Sequence, residues 1–309
     1  MRIIFLGTPD FAVASLEALL AAKKNIVAVV TAPDKPSGRG QQIQASPVKL
    51  CAIKHHLPIL QPTNLKDPAF LEELKSYSAD LQIVVAFRML PEAVWNMPPL
   101  GTFNLHGSLL PNYRGAAPIH WAVINGEKET GVSTFFLKHE IDTGDLLFQE
   151  KEPIHESDTT GDLYERLMRK GATLVVKTVD SIENNSISPI PQLDNGNLKN
   201  APKLTKELGK IDWNQNGEKI YNLIRGLNPF PGAYTLFDGK TCKIHQAKFV
   251  PIINQQNPAG SIECDGKNFL NFWVPDGKIE ILEWQMEGKK KMKIEEFLRG
   301  YLFNPTIKG

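Results

Sequence analysis

"NLHGSLLPNYRGAAPIHWAVING", residues 104–126, changes character twice within one short run. Its approach, "GTFNLHG" at 101–107, has the apolar content of a strand. Asn104 and His106 stand at i and i+2, and the period of two along a strand puts both side chains on one face. Ser, Pro, Asn, Arg and Gly follow, the residues of tight turns, before an apolar stretch with Trp121 resumes. Ligands of parallel α/β sheets bind beyond the carboxyl ends of the strands. This stretch therefore predicts a strand that ends at a crevice and carries an amide and an imidazole to its rim.

Working outward, the rest of the chain supplies the sheet. "RIIFLG" at 2–7 is an apolar run ending in Gly7, and Phe11, Leu16, Leu19 and Leu20 then recur at helical spacing. "NIVAVVTA" at 25–32 is a second strand, so the start is strand–helix–strand, with parallel pairing and a right-handed crossover. The turn between them reads Gly7-Thr8-Pro9-Asp10, without the G-x-G-x-x-G of a dinucleotide fold. "DLQIVVAF", "GVSTFFLK" and "DLLFQEKEPI" read as further strands, and residues 158–185 as a long helix. Residues 33–49 form a long Pro- and Gly-rich loop. Ser46 and Pro47 then read as the cap and first residue of a new helix.

The expected architecture is α/β: a Rossmann-like domain with a mostly parallel sheet over residues 1–189, then a linker at 190–205 without periodicity. Residues 206–309 begin with a helical pattern at 211–227. Short alternating segments follow, punctuated by Asp238-Gly239, Asp265-Gly266 and Asp276-Gly277. They predict a small C-terminal antiparallel β-barrel of OB type.

Composition narrows the class. The 309 residues carry a net charge of +1 and are 42% hydrophobic, ordinary values for a globular protein. Residues 201–309 hold 16 Lys and Arg against 12 Asp and Glu, and the remainder 19 against 22. A mildly basic C-terminal part is compatible with nucleic-acid contact. Cys51, Cys242 and Cys264 are too far apart in sequence for a metal pair, and no secretory leader or membrane-length apolar run is visible. The expectation is a cytoplasmic protein with reduced thiols.

Asn104 offers a donor for a developing oxyanion, and His106 an imidazole, the side chain most used for proton transfer. A carboxylate completes such a set, and "HEIDTGD" supplies Asp142 and Asp145 just after a strand. Asp142 precedes Thr-Gly, a turn that would bring its side chain to the same sheet end. Spacing alone leaves a satisfied polar pair in a loop as an open alternative. His55, His56, His120, His139, His155 and His245 read as surface or capping residues. Ser108 lacks the G-x-S-x-G elbow of a nucleophilic serine and reads as a turn residue.

The ordered set "FLGTPDFA", "PDKPSGRG", "SPVK", "FNLHGSLLPNYRGAAPI", "IDTGD", "IDW", "IRGLNPFPGA" and "GKKKMKIEEFLRG" closely resembles the methionyl-tRNA formyltransferase family over nearly the whole chain. The resemblance implies acyl transfer: the formyl group of 10-formyltetrahydrofolate, a co-substrate, passes to the α-amine of methionyl initiator tRNA, with no metal and no ATP. It implies that Asn104, His106 and Asp142 are catalytic. Phe87, Arg88, Met89 and Leu90, with Ser108, Leu109, Leu110, Pro111 and Asp142, would line the folate. The "AFRMLP" loop at 86–91 departs from the family's longer, Gly-containing A-Y-G-x-x-L-P pattern. On the tRNA side the resemblance implies Lys35, Arg39 and Lys49 in the 33–49 loop, and Lys290 and Lys291 in the barrel. Gln41 and Gln42 replace lysines common in that loop. The family is usually monomeric.

Three other classes compete. A formyltransferase acting on a different amine would share the Asn104–His106–Asp142 set but not the 33–49 loop and C-terminal motifs. A non-enzymatic OB-type RNA binder would have no use for that set. A nicotinamide oxidoreductase is disfavoured by the missing glycine fingerprint.

Overall fold

A computed structural model of the chain describes residues 1–37, 42–194 and 196–301. Its strands are β1 (Arg2–Gly7), β2 (Asn25–Val30), β3 (Lys35–Ser37), β4 (Gln42–Gln44), β5 (Ile59–Leu60), β6 (Leu81–Val85), β7 (Thr102–His106), β8 (Arg114–Gly115), β9 (Glu129–Phe136), β10 (Leu146–Pro153), β11 (Asn200–Ala201), β12 (Ala233–Phe237), β13 (Lys240–Pro251), β14 (Ile262–Cys264), β15 (Leu270–Val274), β16 (Gly277–Met286) and β17 (Met292–Lys293). Its α-helices are α1 (Asp10–Ala21), α2 (Pro47–Lys54), α3 (Pro68–Ser76), α4 (Glu92–Trp95), α5 (Pro118–Ile124), α6 (Thr160–Glu183), α7 (Gly217–Gly226) and α8 (Ile294–Arg299). Two compact units result. One comprises Met1–Pro118, Thr130–Pro153 and Tyr164–Asn200; the other comprises Ile119–Glu129, Ile154–Leu163 and the chain from Ala201 onward.

The first unit is built on a seven-stranded sheet in the order β10-β9-β7-β6-β1-β2-β5. β1 runs parallel to β2 and β6, β6 to β7 and β2 to β5, whereas β7 and β9 are antiparallel. Ile3, Ile4, Phe5 and Leu6 are all fully buried. Both faces of β1 are therefore covered, which is why it reads as an unbroken apolar run rather than an alternating one. Phe70 and Leu74 of α3 and Val94 of α4 pack with Ile4, Leu6, Val30 and Val84 in one cluster.

The strand order reverses between β1 and β6, and at such a switch the loops on the two sides diverge to leave a crevice. Gly7 ends β1 there. A Cβ at that position would lie 2.6 Å from the Cβ of Ala12 and 2.9 Å from the Phe5 ring, so only glycine lets α1 come so close to the strand. The α2 start matches its sequence signature: the Ser46 hydroxyl accepts from the Lys49 N–H at 3.0 Å, and Pro47 follows the cap. The loop expected at 33–49 carries a short hairpin, β3 paired with β4, on either side of the undescribed residues 38–41. α3 went unread in the sequence, although Asp67 caps it by accepting from the Ala69 N–H at 3.0 Å.

The second unit has an antiparallel sheet in the order β12-β13-β16-β15-β14, with β17 on β16, an open half-barrel of the OB-like kind. Its core centres on Trp284, Phe237 and Phe272, all fully buried. Asp238 (φ +50°) and Gly239 (φ +70°) form the two-residue turn between β12 and β13 that their dipeptide announces. The helix expected over 211–227 is shorter. Ile211 donates its N–H to the Tyr234 carbonyl at 2.8 Å, and the Asp212 carboxylate accepts from the Asn214 N–H at 3.1 Å and from Gln215 Nε2 at 3.1 Å. Those bonds hold 211–215 in a turn, and α7 begins only at Gly217.

Candidate active site

Asn104 and His106 end β7, in register with Phe135 and Ser133 of β9. His106 is 6% exposed, and its Nε2–H donates to the Tyr113 carbonyl at 2.8 Å. That bond fixes the ring, so Nδ1 is the nitrogen turned toward Asp142, 3.8 Å from its Oδ2. The Phe135 ring meets the imidazole edge-on, 6.4 Å between centroids. Asn104 is half-buried, and among the described residues its carboxamide has no hydrogen-bond partner. The three residues singled out for catalysis thus lie on or next to one strand end.

Asp142 reaches this place from the turn after β9. Its backbone is left-handed, φ +56°, a region in which Asp and Asn are enriched among residues that carry a side chain. The Asp142 Oδ2 accepts from the Gly115 N–H at 2.8 Å, which aims the carboxylate back across the strand end. Two residues on, a Cβ at Gly144 would collide with the Phe136 carbonyl oxygen, so the turn can close only with glycine there. Asp145, the other carboxylate of "DTGD", instead pairs with Lys138 at 2.8 Å.

The "SLLP" wall is tied down from behind. The Ser108 hydroxyl donates to the Asn112 carbonyl at 2.7 Å, which makes it a turn residue, as expected. The Ser133 hydroxyl donates to the Ser108 carbonyl at 2.6 Å and accepts from the Leu110 N–H at 3.1 Å. Gln149 Nε2 donates to the Leu110 carbonyl at 2.8 Å and to the Ser133 hydroxyl at 2.9 Å. Leu110 is buried and Leu109 half-buried, so this wall is packed as well as hydrogen-bonded.

The 86–91 loop leaves the carboxyl end of β6, the neighbour of β7. Ala86 is left-handed, φ +47°. Among the described residues, the backbone N–H groups of Phe87, Arg88, Met89 and Leu90 find no acceptor. Leu90 is buried and Phe87 packs on the adjacent apolar cluster, whereas Met89 is 76% exposed. Arg88 folds away to donate to the carbonyls of Pro62 and Thr63, the latter at 3.0 Å, and pins the loop to its neighbour.

The cationic residues expected to meet RNA divide into free and engaged groups. Lys35 is exposed at the base of the β3–β4 hairpin, and Arg39 lies outside the described residues. Lys49 pairs with Asp34 at 2.5 Å, and that bond holds the Asp34 carboxyl below the usual carboxylate range. Lys291 pairs with Glu283 at 2.8 Å, while exposed Lys290 makes no ion pair among the described residues. Away from the site, Glu17, Cys51 and His55 bring their polar atoms within 4.8 Å of one another. Burial and the charge of Glu17 push the Cys51 thiol up, which opposes the thiolate that a metal would require.

Tyr113, Ser133, Gln149 and Gln192 are structural partners of the site that the sequence reading missed. Gln192 lies in the stretch read as linker, yet its Nε2 donates to the carbonyls of Asp142 and Gly144 at 2.9 and 2.8 Å. The one local signal was polarity where strand packing expects apolar residues: Ser133 in "GVSTFFLK" and Gln149 in "LLFQEKEPI".

Residues 1–179 match the formyl transferase family model and residues 203–302 that of the formyl transferase C-terminal domain. A methionyl-tRNA formyltransferase of Bacteroides fragilis is 51% identical over all of this chain and 97% of its own length. One from Azobacteroides pseudotrichonymphae is 52% identical over 97% of this chain and 95% of its own. Among solved structures, the sugar 3N-formyl transferase WlaRD, crystallised in the presence of dTDP and 5-N-formyl-THF, superimposes with a TM-score of 0.68. It is 23% identical over 94% of this chain and 99% of that one, a likeness of fold.

Proposed function

The chain belongs to the methionyl-tRNA formyltransferase family, and on that premise we propose that Asn104, His106 and Asp142 carry the formyl transfer at the end of β7. The reaction moves the formyl group of 10-formyltetrahydrofolate to the α-amine of methionyl initiator tRNA. In it the amine nitrogen bonds to the formyl carbon and the bond to N10 breaks, while one proton leaves the amine and one reaches N10.

The observation that carries the assignment is the 3.8 Å gap between His106 Nδ1 and Asp142 Oδ2 beside an Asn104 carboxamide without a hydrogen-bond partner among the described residues. The carboxamide N–H stabilises the charge that develops on the formyl oxygen, a contribution of about 3–4 kcal/mol, or 10²–10³ in rate. Asp142 takes the proton as the amine becomes an amide, and His106 relays it. Tyr113 holds the ring so that Nδ1 faces that task.

The four free N–H groups at 87–90 fit the hydrogen-bonding edge of a pterin, and residues 108–111 form the facing wall. Asp142 bounds the same space. The Arg88 side chain holds the loop to its neighbour, while its backbone N–H is one of the four offered to the folate. Lys35, Arg39 and Lys49 are assigned to the acceptor end of the tRNA and Lys290 and Lys291 to its backbone; Lys49 does so while shared with Asp34. The protein works as a cytoplasmic monomer in this reading, consistent with three free cysteines. Among the described residues no helix is long and apolar enough to cross a membrane.

The test is formyl transfer to charged initiator tRNA, to charged elongator tRNA and to free methionine, side by side. Transfer confined to the initiator is expected. A protein that binds the folate but formylates none of the three would have a different acceptor amine.

A further inference from the structure

We propose that Gln192 is a positioning residue for the transfer: it sets the backbone from which Asp142 reaches His106. The proposal rests on the role given to Asp142 above and deepens it.

Every hydrogen-bonding position of the Gln192 carboxamide is used. Nε2 donates to the Asp142 carbonyl at 2.9 Å and to the Gly144 carbonyl at 2.8 Å. Oε1 accepts from Arg114 Nη2 at 2.7 Å and Nε at 3.1 Å. The two carbonyls flank the tightest point of the turn, where Asp142 is left-handed and Gly144 admits no side chain. Arg114 is followed directly by Gly115, whose N–H holds the Asp142 carboxylate at 2.8 Å. The bonds close a ring: Gln192 to the Asp142 backbone, the Asp142 carboxylate to Gly115, and Arg114 back to Gln192. A carboxylate held from its backbone and its oxygen at once has little freedom to swing away from His106.

The segment that carries Gln192 is anchored on both sides of the site. Ile190 and Leu146 exchange backbone hydrogen bonds, both 2.8 Å. Nearer its far end, the Lys199 carbonyl accepts from the Tyr113 N–H at 2.5 Å, and the Lys199 N–H donates to Asn112 Oδ1 at 3.1 Å. Tyr113 is the residue whose carbonyl holds His106. One strap of chain therefore supports the anchors of both His106 and Asp142.

The experiment is a double-mutant cycle in formyl transfer, with kcat and KM measured separately and folding checked by thermal melting. Gln192→Ala is expected to lower kcat by about 10- to 100-fold, the scale of losing a supporting hydrogen bond or misplacing a catalytic group by an ångström. The KM for both substrates should change by no more than about threefold, since the residue touches neither. Gln192→Glu keeps the acceptor for Arg114 but removes both N–H donors, and should be as slow as Gln192→Ala. In an Asp142→Asn background, Gln192→Ala should cost less than about twofold more, because the group it positions is already gone. If the two losses multiply, or if Gln192→Glu runs at the wild-type rate, Gln192 does not act through Asp142. An Asp142→Asn protein that is itself fully active would instead remove the underlying role of Asp142, a separate outcome from the same cycle.

Discussion

The end of β7 and the core of the half-barrel are both buried, but different forces hold them. Behind the "SLLP" wall, the Ser133 hydroxyl donates to one carbonyl and accepts from two N–H groups, and the Ser108 hydroxyl and Gln149 amide are likewise bonded. In the half-barrel, Trp213 stacks on Phe272 at 4.2 Å, and Trp284 meets Phe297 edge-on at 4.5 Å. There the buried Trp284 Nε1 has no partner among the described residues. Ring packing contributes much free energy through the area it buries and outweighs the cost of an unmatched donor. Hydrogen bonds contribute less net free energy but fix positions to tenths of an ångström, as a proton-handling site requires. Damage to the first region should therefore show in rate and damage to the second in stability.

The largest effect should fall in the barrel. Trp284→Ala removes a fully buried indole and should destabilise the protein by about 3–5 kcal/mol, seen as a lower melting temperature. At temperatures where the variant is folded, its single-turnover transfer rate should stay within about threefold of wild type; a specific loss of chemistry would blur the division. Asn104→Ala inverts the pattern: kcat falls by about 10²–10³ with little change in melting. Ser133→Ala lies between them, since it strands the polar groups that the hydroxyl serves. It should cost about 1–3 kcal/mol in stability and also raise the folate Kd, because the wall it supports loosens. The smallest effect is expected from Lys290→Ala, which should lower the slope of log Kd for tRNA against log salt by about one and leave folate binding untouched. An unchanged slope would remove Lys290 from the RNA contacts.

The parts of this architecture legible in the sequence were those that local pattern encodes. The apolar run of β1 reported its double burial, Ser46-Pro47 announced the α2 start, and Asp238-Gly239 gave the hairpin turn. The Asn104–His106 spacing predicted a shared face at a strand end, and the structure sets Asp142 beside it. What escaped notice depends on partners distant in sequence. Gln192 bonds to Asp142 across 50 residues, and Ser133 to Ser108 across 25. Neither leaves a periodic trace, so Gln192 looked like linker and Ser133 like an ordinary strand residue. β5 is two residues long, too short for periodicity to register. The 211–227 pattern overreached because Asp212 side-chain bonds compete with the helix over its first residues.

The most direct test of the catalytic assignment is single-turnover formyl transfer by His106→Ala, alongside the Kd for the folate. The expected result is a transfer rate lowered by about 10²–10⁴ with folate affinity held within about threefold, because the proposed folate contacts fall on other residues. A folded His106→Ala protein that transfers formyl groups at the wild-type rate would contradict the assignment of the chemistry to the end of β7.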